Sequence, residues 1–392
     1  MSFDGDMRVL VTSTPGTGHL HPLAPLASAL QSAGHEVLWA TAEEACERVR
    51  SYGFSVIPAG MSLADRLAAF LPHMDEVMAL PPRRRRALVF SRLFGWAAAP
   101  RMYADLGPAF DTFRPDVVVS EVAELAAAPM AVARCLPHVT VAFSGALPND
   151  AIALLVQSVT PIWAAEGLPV PSYAGLSDDL YLHPFPTSFG DPPSTGVVGP
   201  MRMETFDGGR SGESPEWVKS LGVGRPLVYL TSGTESAAVQ APWASMLEAI
   251  GSLDVDAVAT IGSHVDPSSL GDVAPNVRVE RFVPQHWLLE RASVVVSHGG
   301  AGTMLAAAGR GIPQLLNPIA ADQWENADAV GASGAGIVCE PEQRTAADIR
   351  AALERLLGDH GVRDAAARVA AEIAAMPPPS AHVAAIEALA AR

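Results

Sequence analysis

Two doubly wound α/β domains, each a parallel sheet flanked by helices, are the fold class that the sequence predicts. Three observations predict it. The chain has 392 residues, enough for two domains of about 150 residues each and a margin. Short β-branched and apolar runs alternate with segments of helical period, first near the N-terminus and again after residue 220. Hydrophobic residues make up 49% of the chain and charged residues 17%, which excludes a disordered protein and supplies large cores.

The elements follow in order. Residues 8–14 (RVLVTST) read as a buried strand. The loop Pro15-Gly16-Thr17-Gly18-His19 comes next, then a helix over 20–33 with Leu23, Leu26 and Leu30 on one face. Gly34 stops it, and residues 35–41 (HEVLWAT) form the next strand. Such a βαβ unit implies parallel pairing. Residues 116–120 and 139–143 read as further strands. The intervening stretch, 60–105, is weakly patterned and is expected to form irregular helices and loops, with Arg83 to Arg86 on a solvated face. Residues 188–215 are dense in Gly, Pro, Ser and Asp and read as an exposed connection.

The rhythm then restarts. Strands are expected at 227–231, 257–261, 277–282, 293–297, 313–317 and 336–339, with helices at 242–252, 303–309, 323–333 and 345–357. Alanine-rich helices at 362–376 and 380–392 close the chain. The expected organisation is a first domain at 1–205, a linker at 206–220, a second domain at 221–378 and a terminal helix at 379–392.

Charge and composition exclude several functions. The formal net charge is −16, the pI is about 5.0 and Lys219 is the single lysine. Such a chain repels phosphate backbones, so no nucleic-acid partner is expected. Cys46, Cys135 and Cys339 are scattered and odd in number, which suits a reducing cytoplasm rather than a disulfide framework. The N-terminus, Met1 to Asp6, lacks the apolar core of a signal peptide. A mean hydropathy of +0.22 raises the question of a membrane. The longest apolar run, Ala151 to Ala165, is broken by Gln157, Ser158, Thr160 and Pro161. It falls short of the ~20 residues a span needs.

The chemistry concentrates at strand ends. Each half begins with a strand that ends in hydroxyls and glycine: Thr12-Ser13-Thr14-Pro15-Gly16 and Thr231-Ser232-Gly233-Thr234. Ligands of open α/β sheets bind beyond such carboxyl ends, and two of them facing each other would line a cleft. Gly16-x-Gly18-x-x-His21 departs from a dinucleotide fingerprint, because the third glycine is a bulky histidine. Ser297-His298-Gly299-Gly300-Ala301-Gly302-Thr303 follows a buried strand and opens a helix. Glycines admit an anion close to backbone N–H groups, and the helix N-terminus carries partial positive charge. His298 and Thr303 add side-chain donors, which makes a diphosphate cradle; the plain alternative is a glycine-rich turn around a core histidine. Phe282 precedes a Pro-Gln turn, where it either stacks on a nucleobase, worth ~1–3 kcal/mol per base elsewhere, or fills the core. Asp322 and Gln323 offer groups to adjacent sugar hydroxyls, although Asp322 would also serve as a helix N-cap.

These segments together carry a resemblance. HGGxGT, preceded by Val283-Pro284-Gln285 and followed by Asp322-Gln323-Trp324-Glu325-Asn326-Ala327, resembles the donor signature of family 1 glycosyltransferases. The likeness is to bacterial enzymes that attach deoxysugars to polyketide, macrolide and enediyne antibiotics. Gly18-His19-Leu20-His21-Pro22 is similar to the family's GHxxP. The resemblance implies the GT-B fold, with an N-terminal acceptor domain, a C-terminal nucleotide-sugar domain and a last helix returning to the first domain. It implies that Phe282 and Val283 contact the base. His298, Gly299, Gly300, Gly302 and Thr303 would hold the diphosphate, Ser232, Gly233 and Thr234 would add a second phosphate contact, and Asp322 and Gln323 would hold the sugar.

The implied reaction is inverting, metal-independent transfer of a (deoxy)sugar from a nucleoside-diphosphate sugar, dTDP-linked, to a hydroxyl of an apolar aglycone in antibiotic biosynthesis. The cradle stabilises the leaving diphosphate. His19 matches the family's base, and an ordinary imidazole, titrating near ~6.5, serves as base at cellular pH. The orienting carboxylate is expected at Glu121, with Glu124 as the fallback. Asp4-Gly5-Asp6 and Asp254-Val255-Asp256 lack the strand-end context of a metal-binding DxD, so neither metal nor cofactor is expected. Phe90, Phe94, Trp96, Met102 and Trp163 are expected to line the acceptor site. Three readings compete: a C-glycosyltransferase, a sugar-nucleotide epimerase, or a non-catalytic auxiliary that binds the nucleotide sugar. The auxiliary alone would not need His19 and Glu121 within hydrogen-bond reach. A homodimer or a helper protein is compatible with all of them.

Overall fold

The computed structural model describes residues 6–191, 196–206, 208, 212–233 and 239–392. The chain divides into two compact units: Met1–Pro184, Asp191–Gly209 and Pro377–Arg392 in the first, Phe185–Gly190 and Arg210–Met376 in the second.

The first unit is built on β1 (Arg8–Thr12), β2 (Glu36–Thr41), β3 (Ser55–Pro58), β4 (Val117–Glu121), β5 (His138–Val141), β6 (Leu180–His183) and β7 (Val198–Pro200). They form one sheet in the order β3-β2-β1-β4-β5-β6-β7, every pair parallel. Alternation along β1 sends Val9 and Val11 to one face and Leu10 to the other. Val9 and Val11 pack with Leu20, Leu23, Leu26 and Leu30 of the helix Thr17–Ser32 and with Ile386 and Leu389 of the helix Val383–Ala390. Leu10 packs with Met102, Leu106 and Phe110 of the helix Ala99–Phe113.

The second unit contains β8 (Leu227–Thr231), β9 (Asp256–Thr260), β10 (Val277–Glu280), β11 (Ala292–Ser297), β12 (Gln314–Leu316) and β13 (Gly336–Val338). Their order is β10-β9-β8-β11-β12-β13, again all parallel. Val228, Leu230, Val294 and Val296 face one core, while Tyr229 and Val295 face the other. In both sheets the order reverses between the first strand and the one after its crossover, β1/β4 and β8/β11, the switch point where such folds bind ligands.

Three departures from the sequence reading have clear causes. β3, β6 and β7 are too short to show a period. β7 lies inside 188–215, so that stretch is not only an exposed connection. Its Pro200 is tolerated because β7 is an edge strand, and a side chain at Gly199 would press on Leu182 of β6. The helix after β1 starts at Thr17 rather than Leu20, which puts His19 in its first turn. The arginine run splits: Arg83 and Arg84 are exposed, whereas Arg86 is buried and donates to Ser144 Oγ at 3.4 Å. Among the described residues no helix is long and apolar enough to cross a membrane.

Candidate functional site

In the first unit the site grows from the β1/β4 pair. Their register sets Thr12 beside Ser120, so the β1 turn and the end of β4 share one edge. Glu121, the last residue of β4, has no exposed surface. Its Oε1 lies 3.0 Å from His19 Nδ1 and accepts from Thr14 N at 3.2 Å and Thr14 Oγ1 at 3.0 Å. Its Oε2 accepts from Ala123 N. Burial alone would raise this carboxyl, but His19 and the backbone donors hold it below the ordinary glutamate value. With Nδ1 engaged by Glu121, Nε2 is the nitrogen left for a substrate. The ring is set edge-on to Phe143 at 4.8 Å between centroids and tilted against Phe94 at 5.5 Å. A Cβ at Gly16 would sit 2.9 Å from His19 Cδ2, so the turn must be glycine for the ring to hold this orientation.

Glu124 has different partners. Its Oε2 accepts from Thr12 Oγ1 at 2.5 Å and its Oε1 from Ala126 N at 2.8 Å. Burial pushes it up to about 7. Glu124 lines a small concavity together with Thr14, Met61, Arg66, Phe94 and Met102. Of the five residues expected at an acceptor site, Phe94 and Met102 are in this wall. Phe90 and Trp163 are instead buried in a hydrophobic cluster, and Trp96 is exposed. Nothing in the local sequence marks Met61 and Arg66 as its lining, and Glu124 stands in the sequence only as the fallback carboxylate.

In the second unit the glycine motif connects β11 to the helix Ala301–Ala308. Gly300 is the N-cap and, as glycine, makes no side-chain capping bond, so its first-turn amides keep their electropositive character. The His298 ring is packed between two glycines. A Cβ on Gly233 would lie 2.7 Å from its Cε1, and one on Gly300 2.5 Å from its Nε2. Gly233 (φ +80°) and Gly299 (φ +82°) also adopt left-handed backbone. Among the described residues, nothing beyond the helix itself lies within 4 Å of a Cβ placed on Gly302, and Thr303 is partly exposed beside it. Ser232 is buried; Thr234 lies outside the described residues. His298 Nδ1 is buried without a hydrogen-bond partner among the described residues. Burial pushes this imidazole down to about 4, with Asp322 opposing the shift, so the ring is neutral.

Asp322 and Gln323 open the helix Gln323–Ser333. Asp322 is its N-cap residue but makes no capping hydrogen bond; its Oδ2 accepts from Asn326 Nδ2 at 2.9 Å. Asn326 Nδ2 also donates to Gly299 O at 2.9 Å, tying this helix to the glycine turn. Asn326 stands in the DQxxNA motif but had no assigned role. Gln323 Oε1 accepts from Ile319 N at 2.7 Å and Ala320 N at 2.9 Å, so its amide oxygen closes the loop ahead of the helix. Phe282 is half exposed, whereas Val283 is in the core. Among the described residues no group of three His, Cys, Asp or Glu side chains is placed to hold a metal ion.

Comparison with known proteins adds to this geometry. Residues 244–389 match the family model described as erythromycin biosynthesis protein CIII-like, C-terminal domain. The chain is 33% identical over 379 residues to L-demethylnoviosyl transferase of Streptomyces niveus, covering 95% of this chain and 96% of that one. It is 28% identical over 426 residues to 3-alpha-mycarosylerythronolide B desosaminyl transferase of Saccharopolyspora erythraea, covering 98% and 99%. Among solved structures, the glycosyltransferase SnogD from Streptomyces nogalater aligns with a TM-score of 0.77 at 28% identity, over 98% of this chain and all of that one. The glycosyltransferase VinC in complex with dTDP aligns with a TM-score of 0.80 at 26% identity, over the same shares.

Proposed function

The chain belongs to the GT-B glycosyltransferases of bacterial antibiotic biosynthesis, and from that premise we propose inverting, metal-independent transfer of a deoxysugar from a dTDP-sugar to a hydroxyl of an apolar aglycone. The observation that carries the catalytic part of this reading is the 3.0 Å contact between His19 Nδ1 and buried Glu121. A binding protein without turnover has no use for an imidazole held by an anionic, fully buried carboxylate.

The reaction would proceed in one displacement. Glu121 accepts the Nδ1–H, so the lone pair of Nε2 takes the proton of the acceptor hydroxyl. The freed oxygen bonds to the anomeric carbon from the face opposite the diphosphate. The carbon–oxygen bond to the diphosphate breaks, and its electron pair stays with the leaving group. The transition state is oxocarbenium-like, so two charges need stabilising. Glu121 stabilises the imidazolium. The uncapped N-terminus of Ala301–Ala308, with neutral His298 and Thr303 as donors, stabilises the diphosphate. Asp322 and Gln323 are suited to the sugar hydroxyls, with Asn326 holding Asp322 in place and Phe282 at the base. The dTDP held by the solved relative VinC supports thymine as that base. The unit 1 concavity beside Phe94 and Met102 would take the apolar acceptor.

Incubation of the full chain with dTDP-deoxysugars and a panel of apolar aglycones, read by mass spectrometry and by the anomeric coupling constant, tests the proposal. An inverted glycoside formed equally in the presence of EDTA is expected. Retention of configuration, or activity lost to EDTA and restored by Mg²⁺, would overturn the mechanism.

A further inference from the structure

β1 leads into a run of hydroxyls, and two of them are committed to buried carboxyls. Thr12 Oγ1 donates to Glu124 Oε2 at 2.5 Å. Thr14 Oγ1 donates to Glu121 Oε1 at 3.0 Å, and the Thr14 amide reaches the same oxygen at 3.2 Å. That oxygen also lies 3.0 Å from His19 Nδ1. The atom that orients the imidazole is therefore itself held by Thr14. Thr14, Glu121 and Glu124 are all buried. Thr14 also lines the concavity beside Phe94 and Met102, where a hydroxyl would ordinarily read as a contact for a bound molecule. Its hydrogen is already engaged, because an ionised carboxylate only accepts and the hydroxyl must donate to it.

The two carboxyls have opposite states. Burial pushes Glu124 up to about 7, and the charge of Glu121 adds to that rise. Glu121 is equally buried but is held below its ordinary value, by His19 first and then by the backbone donors of Ala123 and Thr14. These are the titratable groups that face Glu121: His19 from the helix Thr17–Ser32 and Glu124 from the turn after β4. Buried carboxyls whose charges oppose each other ionise in the order of the donors they command. Besides His19, the Thr14 hydroxyl is the side-chain donor on Glu121 among the described residues. A valine has the shape of threonine without the donor.

We propose that Thr14 is a positioning residue for the base: its hydroxyl keeps Glu121 ionised and fixes Oε1 where His19 Nδ1 meets it. Thr12 does not share the task, because its hydroxyl is engaged by Glu124. The inference rests on the reading of His19 as the base, but its first test does not.

That test is a pH titration of the glutamate side-chain carboxyls by ¹³C NMR in the full chain without substrate, with the Glu121 signal assigned by its loss in Glu121→Gln. Thr14→Val should raise the proton affinity of Glu121 about tenfold, the size of one hydrogen bond to a charged group. Thr14→Ser keeps the hydroxyl and should restore the parent titration. Thr12→Val, which acts on Glu124, should leave Glu121 where it is. Thr14→Ala serves if the valine variant does not fold. In turnover, Thr14→Val should lower kcat about tenfold and move the acidic limb of the pH–rate profile to higher pH, and Thr14→Ser should recover both. An unchanged Glu121 titration in Thr14→Val, or an equal shift in Thr12→Val, overturns the inference. So does a Thr14→Val enzyme whose acceptor KM rises while kcat and the pH profile stay put, since that marks a hydroxyl that only touches the acceptor. If Glu121 responds as expected but His19→Ala remains fully active, the hold of Thr14 on Glu121 stands and the reading of His19 as the base is what fails.

Discussion

The first unit and the second each place a histidine at the switch point of a parallel sheet, and the two are prepared for opposite tasks. His19 follows β1, and His298 follows β11. Each ring is wedged against glycine: Gly16 for His19, Gly233 and Gly300 for His298. The difference is what faces Nδ1. For His19 it is Glu121, a fully buried carboxylate held in its charged form by four donors. For His298 it is no described protein group at all, and burial leaves the ring neutral. A carboxylate on one nitrogen makes the other a base that tolerates a proton; a partly exposed ring with Nδ1 shielded from water stays neutral and serves as a donor. The two strands that flank a switch point, the first in one sheet and the crossover strand in the other, thus yield two chemistries, each set by what faces the imidazole.

The contrast can be broken most severely at the base. His19→Ala should lower kcat about 10³- to 10⁴-fold, a general-base loss, and leave thymidine diphosphate affinity by calorimetry unchanged. Glu121→Gln keeps the shape and removes the charge. It should lower kcat about 10²-fold and shift the pH–rate profile, since the imidazolium loses its counter-charge. His298→Ala should do the reverse of the base variants, raising the Kd for thymidine diphosphate about 10- to 100-fold, the worth of a hydrogen bond to a charged group. Gly300→Ala sharpens the point by keeping the imidazole and crowding its Nε2. Its methyl meets the His298 ring, and it should cost about 1–3 kcal/mol of stability in chemical denaturation through overpacking while also weakening the nucleotide.

The smallest effect lies in the pH dependence of stability, where the two units have opposite signs. His298 is lowered from 6.5 to about 4. As pH falls from 6.5 to 4 the unfolded chain takes up that proton first, so stability is lost on the way down. Glu124 is raised from 4.5 to about 7. As pH rises from 4.5 to 7 the unfolded chain gives up that proton first, so stability is lost on the way up. Thermal unfolding midpoints of His298→Ala and Glu124→Gln across this range should show the two slopes removed separately. Equal slopes in the parent and both variants would mean that neither group is as deeply buried as its surroundings indicate.

Much of this was legible in the order of residues. The β and α rhythm reads directly from the apolar runs, because buried parallel strands such as 292–297 (ASVVVS) are continuous hydrophobic segments. The helix Gln323–Ser333 and the strand Leu227–Thr231 are found where their patterns put them. β7 was hidden because three residues, one of them glycine and one proline, carry no period. Arg86 read as solvent-exposed because its run looks uniformly charged, and only packing separates it from Arg83 and Arg84.

The sequence alone determined the fold class and the residues with reactive chemistry, because periodicity and glycine motifs are local and a chain encodes them within a few residues. Tertiary structure decided what each of those residues has beside it. Glu121 meets His19 while Glu124 turns to Thr12, although three positions separate the two carboxyls, because the register of β4 against β1 selects one of them. Neighbours distant along the chain set burial and hydrogen bonding, and those two quantities fix whether a histidine is a base or a neutral donor.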